Sequence, residues 1–210
     1  MRSFRHWSPT YIVNRTADML YQKRHPDAPW LTPTAIEILR NLLRRTDIGL
    51  EYGSGRSTVW LAKRISALTS VEHDHFWYEK VTDLLSRAGL TNTDRHLCPE
   101  KPEDGPGETS AYVQVVSRFA ENSLDFVLVD GIHRAACANS AAARMRTGGI
   151  LALDNCNWYL PSDSHSPGSR TPAEGPASEQ WAAFVYTARN WRRIWTSNGV
   201  TDTVLYFKNS

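Results

Sequence analysis

The sequence has little of what marks a secreted, membrane-bound or polyanion-binding chain. Its 210 residues include three cysteines, Cys98, Cys137 and Cys156, far apart and without a Cys-x-x-Cys spacing. A disulfide framework and a structural zinc site are therefore not expected, and a reducing compartment fits. No apolar run is long enough to span a bilayer. The N-terminal residues Met1-Arg2-Ser3-Phe4-Arg5-His6-Trp7 are charged, but no apolar segment follows them. No secretory signal is expected, and a soluble cytoplasmic protein is the default reading. Charge of one sign is lacking too: 24 Lys and Arg against 22 Asp and Glu leave a formal net charge of +2. The basic residues are scattered, so neither nucleic acid nor a membrane surface is an expected partner. The densest basic cluster, Arg189, Arg192 and Arg193, lies among aromatics and reads as a solvated helix end in preference to a nucleic-acid contact. No internal repeat is evident.

What is present is ordinary globular composition, 41% hydrophobic and 22% charged, in a length that suits one domain with a terminal extension. From about residue 34 onward the apolar periodicity alternates between helix and strand. Helices are expected from Thr34, over Ser57 to Ser66, Phe76 to Ala88, Ala111 to Ala120, His133 to Arg146 and Ser178 to Asn190. Strands are expected at Ile48 to Tyr52, Leu68 to Glu72, Arg95 to Cys98, Leu124 to Asp130 and Ile150 to Leu153, with a closing pair at Arg193 to Thr196 and Thr203 to Phe207. Gly148-Gly149 reads as the stop of the fifth of these helices. Leu124 to Asp130 is apolar nearly throughout and ends in an acid, as a strand covered on both faces should be. Strands alternating with helices imply an α/β fold, Rossmann-like and doubly wound, with a mostly parallel sheet. Ligands of such sheets bind beyond the carboxyl ends of the strands, so the residues just after each strand are the ones to interrogate.

The first strand runs into Glu51-Tyr52-Gly53-Ser54-Gly55-Arg56-Ser57. Glycines at a strand-to-helix turn let backbone approach a ligand closely, and the following helix offers free amides. A dinucleotide fingerprint wants a third small residue, and Thr58 stands in that place, an incomplete match. Glu51 would repel a pyrophosphate, yet it suits a cofactor carrying an ammonium and a sulfonium. Glu72 ends the second strand nineteen residues after Gly53, where an acid can accept both ribose hydroxyls. His73 is adjacent to it and reads either as an adenine contact or as part of the turn into the next helix. Ser54, Ser57 and Thr58 read as contacts of the cofactor or as helix caps. Trp77 and Tyr78 open the next helix near the adenine side, although aromatics at helical spacing are more often core.

These motifs resemble those of class I S-adenosylmethionine-dependent methyltransferases: Glu-x-Gly-x-Gly after the first strand, an acid ending the second, Asp-x-Val-x-Val-Asp at the fourth and Gly-Gly-x-Leu-x-Leu-Asp-Asn at the fifth. The likeness covers roughly residues 48–155. It implies a seven-stranded sheet with an antiparallel last strand, Glu51 near the methionine amino end, and Gly53 and Gly55 beneath the cofactor. A narrower likeness is to the metal-dependent catechol and caffeoyl-CoA type O-methyltransferases, in which the acids ending the fourth and fifth strands hold a divalent cation. Asp130, Asp154 and Asn155 stand at those places, an oxygen set that suits magnesium. Both Asp130-Gly131 and Asp154-Asn155 also read as turns. Where that group carries a catalytic Lys, this sequence has His133. A His can serve as general base near neutral pH. Without a metal, Asp130 and His133 would form a base-and-orienter pair.

The expected activity is thus methyl transfer, with a small-molecule or glycan hydroxyl as acceptor. A nicotinamide-dependent oxidoreductase and a non-catalytic cofactor-binding module are the alternatives. Residues 1–33 read as an extension, either a cap over the site or packing on the sheet edge, before a catalytic domain at 34–210. Residues 156–177, rich in Pro, Ser and Gly, read as a loop on the substrate side. Trp7, Trp30, Trp158 and Trp191 are candidates for an acceptor site or for a homodimer contact.

Overall fold

The computed structural model describes residues 8–100 and 107–209. Trp7 and the charged start therefore lie outside the described residues. Two helices precede the sheet, α1 (Pro9–Arg24) and α2 (Pro33–Leu42). The alternating unit follows as β1 (Ile48–Tyr52), α3 (Arg56–Ala62), β2 (Ala67–Glu72), α4 (His75–Arg87) and β3 (Thr93–Leu97). The second half holds α5 (Ala111–Gln114), β4 (Leu124–Val129), α6 (Arg134–Arg144), β5 (Met145–Asp154), α7 (Glu179–Thr187), β6 (Arg192–Ser197) and β7 (Asp202–Phe207).

The seven strands form one sheet in the order β3-β2-β1-β4-β5-β7-β6. β1 through β5 pair in parallel, and β7 runs antiparallel to both β5 and β6. This is the Rossmann-like doubly wound sheet that the strand and helix periods predict. Side chains alternate across a strand, so each central strand feeds two cores. Phe126 and Leu128 of β4, Ala152 of β5 and Leu205 of β7 pack under Ile36 and Leu39 of α2, Leu61 of α3 and Val81 of α4. Val127 and Val129, Leu151 and Leu153, Val204 and Tyr206 face the other way, against Ala138 and Ala141 of α6 and Phe184 of α7. Truncating a fully buried leucine such as Leu128 would cost about 2–5 kcal/mol.

Two expectations need correction. The helix over 133–146 ends at Arg144, and β5 begins at once with Met145. Gly148 and Gly149 lie inside that strand, where the register against β4 jumps from Leu124↔Met145 to Phe126↔Ile150. They form a bulge in β5 and do not stop a helix. The helix over 111–120 shortens to α5 and a 3-10 turn at Val115–Arg118. In the extension, α1 is capped by Ser8, whose side chain accepts from the Tyr11 amide at 3.2 Å. None of its residues is buried, and Ile12, Val13, Met19 and Leu20 remain exposed.

The chain winds outward from β1 through β2 to β3, then returns to β4 beside β1. That reversal opens a crevice at the carboxyl ends of β1 and β4, where such sheets bind ligands.

Candidate cofactor site

The turn after β1 is held by its own hydrogen bonds. Gly53 adopts φ +97°, and a Cβ there would meet the Gly131 amide nitrogen at 2.8 Å. The glycine thus lets the β1 and β4 turns touch each other; its missing side chain makes room for backbone and not for a ligand. At Gly55 a Cβ would meet only Ser57 Oγ, at 3.8 Å, which leaves that side of the turn open. The amides of the turn are already committed: Gly53 N donates to Val71 O, Ser54 N to Glu72 Oε2 at 2.8 Å and Gly55 N to Thr58 Oγ1 at 3.0 Å.

Glu72 is buried and fixed from three sides. Besides Ser54 N, the amides of His73 and Asp74 donate to its Oε1, each at 2.8 Å. Its orientation is set before any ligand arrives: Oε1 is taken up by two amides, while Oε2, with one, keeps a lone pair for a hydroxyl donor. Asp74 then caps α4, accepting from the Trp77 amide at 2.8 Å. A cavity of about 240 Å³ opens above these residues, lined by Gly53, Ser54, Gly55, Arg56, Ser57, Glu72, His73, Asp130 and Gly131, with Trp30 and Trp77 at its wall. Trp30 meets Trp77 edge-on, ring centroids 5.9 Å apart.

Most of the expected cofactor residues therefore converge. Glu51 and Thr58, also expected at the cofactor, do not line this cavity. Glu51 is fully buried beneath the turn, where Thr58 Oγ1 and Ser70 Oγ donate to its Oε2 at 2.6 and 2.7 Å. Thr58 passes the Gly55 amide through to that carboxyl, so the pair braces the turn from below. Burial pushes the Glu51 carboxyl up to about 7, against the pull of the hydroxyl donors.

Asp130, Asp154 and Asn155 do meet at the tips of β4 and β5, but around a guanidinium. Arg134, at the start of α6, donates from Nη2 to Asp130 Oδ1 at 3.1 Å and to Asp130 O at 3.0 Å. Its Nη1 donates to Asp154 O at 2.6 Å and Asn155 Oδ1 at 3.0 Å, and its Nε to Gly131 O at 2.9 Å. Asp154 Oδ1 accepts instead from Thr203 Oγ1 at 2.7 Å. Burial raises both carboxyls: Arg134 opposes this at Asp130, while Asp130 adds to it at Asp154. Two of the three side chains expected to hold magnesium, Asp130 and Asn155, thus already hold a fixed cation, and a second would be repelled. Among the described residues no group of three or more His, Cys, Asp or Glu could hold a metal ion. The residues present do not fit the expected divalent cation.

His133 adopts φ +48° and turns away from the cavity. Its Nε2 lies 3.3 Å from Glu100 Oε1, and it lines a separate hollow with Tyr159 and Trp181. The expected pairing of Asp130 with His133 is replaced by Asp130 with Arg134. Sequence reasoning missed Arg134, although an Asp and an Arg four apart at a helix start were a legible signal. It also missed Arg56. A second, larger space of about 910 Å³ lies between α1 and the 155–167 segment, lined by Tyr11, Arg15, Trp30, Asn155, Trp158 and Thr201. Trp30 borders both spaces. No helix of the described residues is long and apolar enough to cross a membrane.

No protein-family profile and no curated protein matches this sequence. Solved structures do match. An rRNA methylase from Streptococcus thermophilus is 15% identical with a TM-score of 0.57, over 84% of this chain and 95% of that one. A methyltransferase from Geobacter sulfurreducens is 12% identical with a TM-score of 0.57, over 94% and 89%. A methyltransferase-like protein from Streptococcus mutans, solved with S-adenosylhomocysteine, is 12% identical with a TM-score of 0.56, over 82% and 94%. At these identities the likeness is one of fold: this chain has the Rossmann-like architecture of those methyltransferases.

Proposed function

We propose that the chain is an S-adenosylmethionine-dependent methyltransferase whose acceptor is a hydroxyl of a small molecule or glycan. The observation that carries this reading is the lock between the glycine turn and Glu72, through the Ser54 amide, at the floor of the 240 Å³ cavity. A carboxylate held by three amides at the tip of β2, with Oε2 still able to accept, suits a ribose hydroxyl and opposes a diphosphate. The cofactor's sulfonium supplies an electrophilic methyl group when bound. Glu72 fixes the nucleoside, and Gly55 leaves room for close approach. His133, the expected base, does not line this cavity; Asp130, its expected partner, does, and is assigned the base's role with Arg134 on its Oδ1. A carboxyl raised by burial can take a hydroxyl proton near neutral pH. Arg134 takes the place of a metal, so the chemistry is assigned to the chain's own groups. The larger space beneath α1 is the acceptor side, with α1 as its cap and Trp30 shared between the two.

Calorimetry with S-adenosylhomocysteine tests the reading. One-to-one binding that survives EDTA is expected, with strong weakening in Glu72→Gln. Tight NADH binding without S-adenosylhomocysteine binding would turn the assignment to the oxidoreductase alternative. Asp130→Asn should keep the ligand and lose turnover.

A further inference from the structure

We propose that Arg56 binds the carboxylate at the amino-acid end of the cofactor; this rests on the methyltransferase reading and assigns a residue that the sequence motifs did not. S-adenosylmethionine carries two cationic groups and one carboxylate. Of the ionisable side chains lining the cavity, Glu72 and Asp130 are acids, His73 shares Glu72 Oε1 at 2.9 Å, and Arg56 is the one guanidinium. The amides of Gly53, Ser54 and Gly55 are committed to Val71, Glu72 and Thr58, so these three do not serve the carboxylate. The charged donor in the lining that can meet the anion is the Arg56 guanidinium.

Arg56 has the donor to give. Its Nη1 is buried and without a hydrogen-bond partner, and among the described residues Arg56 makes no ion pair. A buried N–H left unpaired costs about 1–3 kcal/mol, more for a charged group, so a ligand partner is the economical explanation. The guanidinium is also pre-positioned. It lies over the Trp30 ring, 5.3 Å from its centroid, and Trp30 is braced edge-on by Trp77. Little side-chain freedom remains to be lost when the carboxylate arrives. The contrast with Arg134 is direct, because there all donors already have partners.

The test compares two ligands that differ only at this end: S-adenosylhomocysteine and 5′-methylthioadenosine, which has the nucleoside and thioether but no amino-acid group. Calorimetry on the full chain is run for wild type, Arg56→Ala and Arg56→Gln; the second keeps most of the stem over Trp30 and guards against a folding defect. Loss of the charge-assisted contact should weaken S-adenosylhomocysteine about 10- to 100-fold in both variants. Binding of 5′-methylthioadenosine should stay within about twofold of wild type. Unchanged S-adenosylhomocysteine binding, or an equal loss for both ligands, overturns the assignment and leaves the methyltransferase reading standing. A wild-type chain that binds neither ligand overturns both.

Discussion

Two corners of the same sheet edge treat an arginine in opposite ways. At the β4–β5 corner, Arg134 joins five acceptors from Asp130, Gly131, Asp154 and Asn155, and nothing of the fork is left over. At the β1–β2 corner, Arg56 keeps a buried Nη1 without a partner. The acids repeat the contrast. Glu51 is buried below the glycine turn, with Thr58 and Ser70 on its Oε2 and no partner for Oε1, whereas Glu72 is gripped by amides and still lines the cavity. Charge at a strand tip therefore does not define function. What matters is whether the group lines the cavity with hydrogen-bonding capacity to spare.

The sharpest way to break that comparison is Arg134→Ala. It strands the Asp130 carboxylate and three carbonyls in a half-buried corner, and removing one partner of such a pair costs about 3–5 kcal/mol. A matching fall in the denaturation midpoint is expected; an unchanged midpoint would show that the corner is as open as the other. Next comes Glu51, whose folded carboxyl titrates at about 7 against an ordinary 4.5. Between those values the folded chain keeps a proton that the unfolded chain has released. This group's contribution to stability is therefore full at acid pH, falls as pH rises through the window, and is constant above it. The total is about 3 kcal/mol at roughly 1.4 kcal/mol per pH unit. Denaturation of wild type and Glu51→Gln from pH 4 to 8 should show wild type losing ground over that window, and parallel curves would place Glu51 in contact with solvent. Asp74→Ala removes the cap of α4 and should lower stability by about 1 kcal/mol, read as a shift in thermal midpoint. The smallest loss of stability belongs to Arg56→Ala, no more than about 0.5 kcal/mol, because a buried donor without a partner adds nothing to the fold. A loss like that of Arg134→Ala would erase the distinction between the corners.

Much of this was legible in the residues. The runs Ile48–Tyr52 and Leu124–Val129 announce buried strands because apolar residues dominate both, with Glu51 and Asp125 their only charged members. Glu72, Gly53, Ser54, Gly55, Ser57, His73 and Asp130 were found from their place after a strand, and the cavity gathers them. That Glu51 and Thr58 meet beneath the turn was not legible, because a period of two tells which face a side chain takes but not what lies beneath it. Gly148-Gly149 misled because a glycine pair suits a bulge as well as a helix end. α1 escaped notice because no core-facing stripe marks it; none of its residues is buried.

The sequence by itself determined the order of strands and helices, the two-faced cores and the turn chemistry after β1, since these depend on local period and backbone freedom. Only the tertiary structure decided that Arg134 fills the place expected for a cation, that His133 faces Glu100, and that Arg56 is left with a donor to offer. Those outcomes depend on how groups far apart in the chain meet in low-dielectric space. There, the strength and the partner of every charge are set by neighbours that no local pattern names.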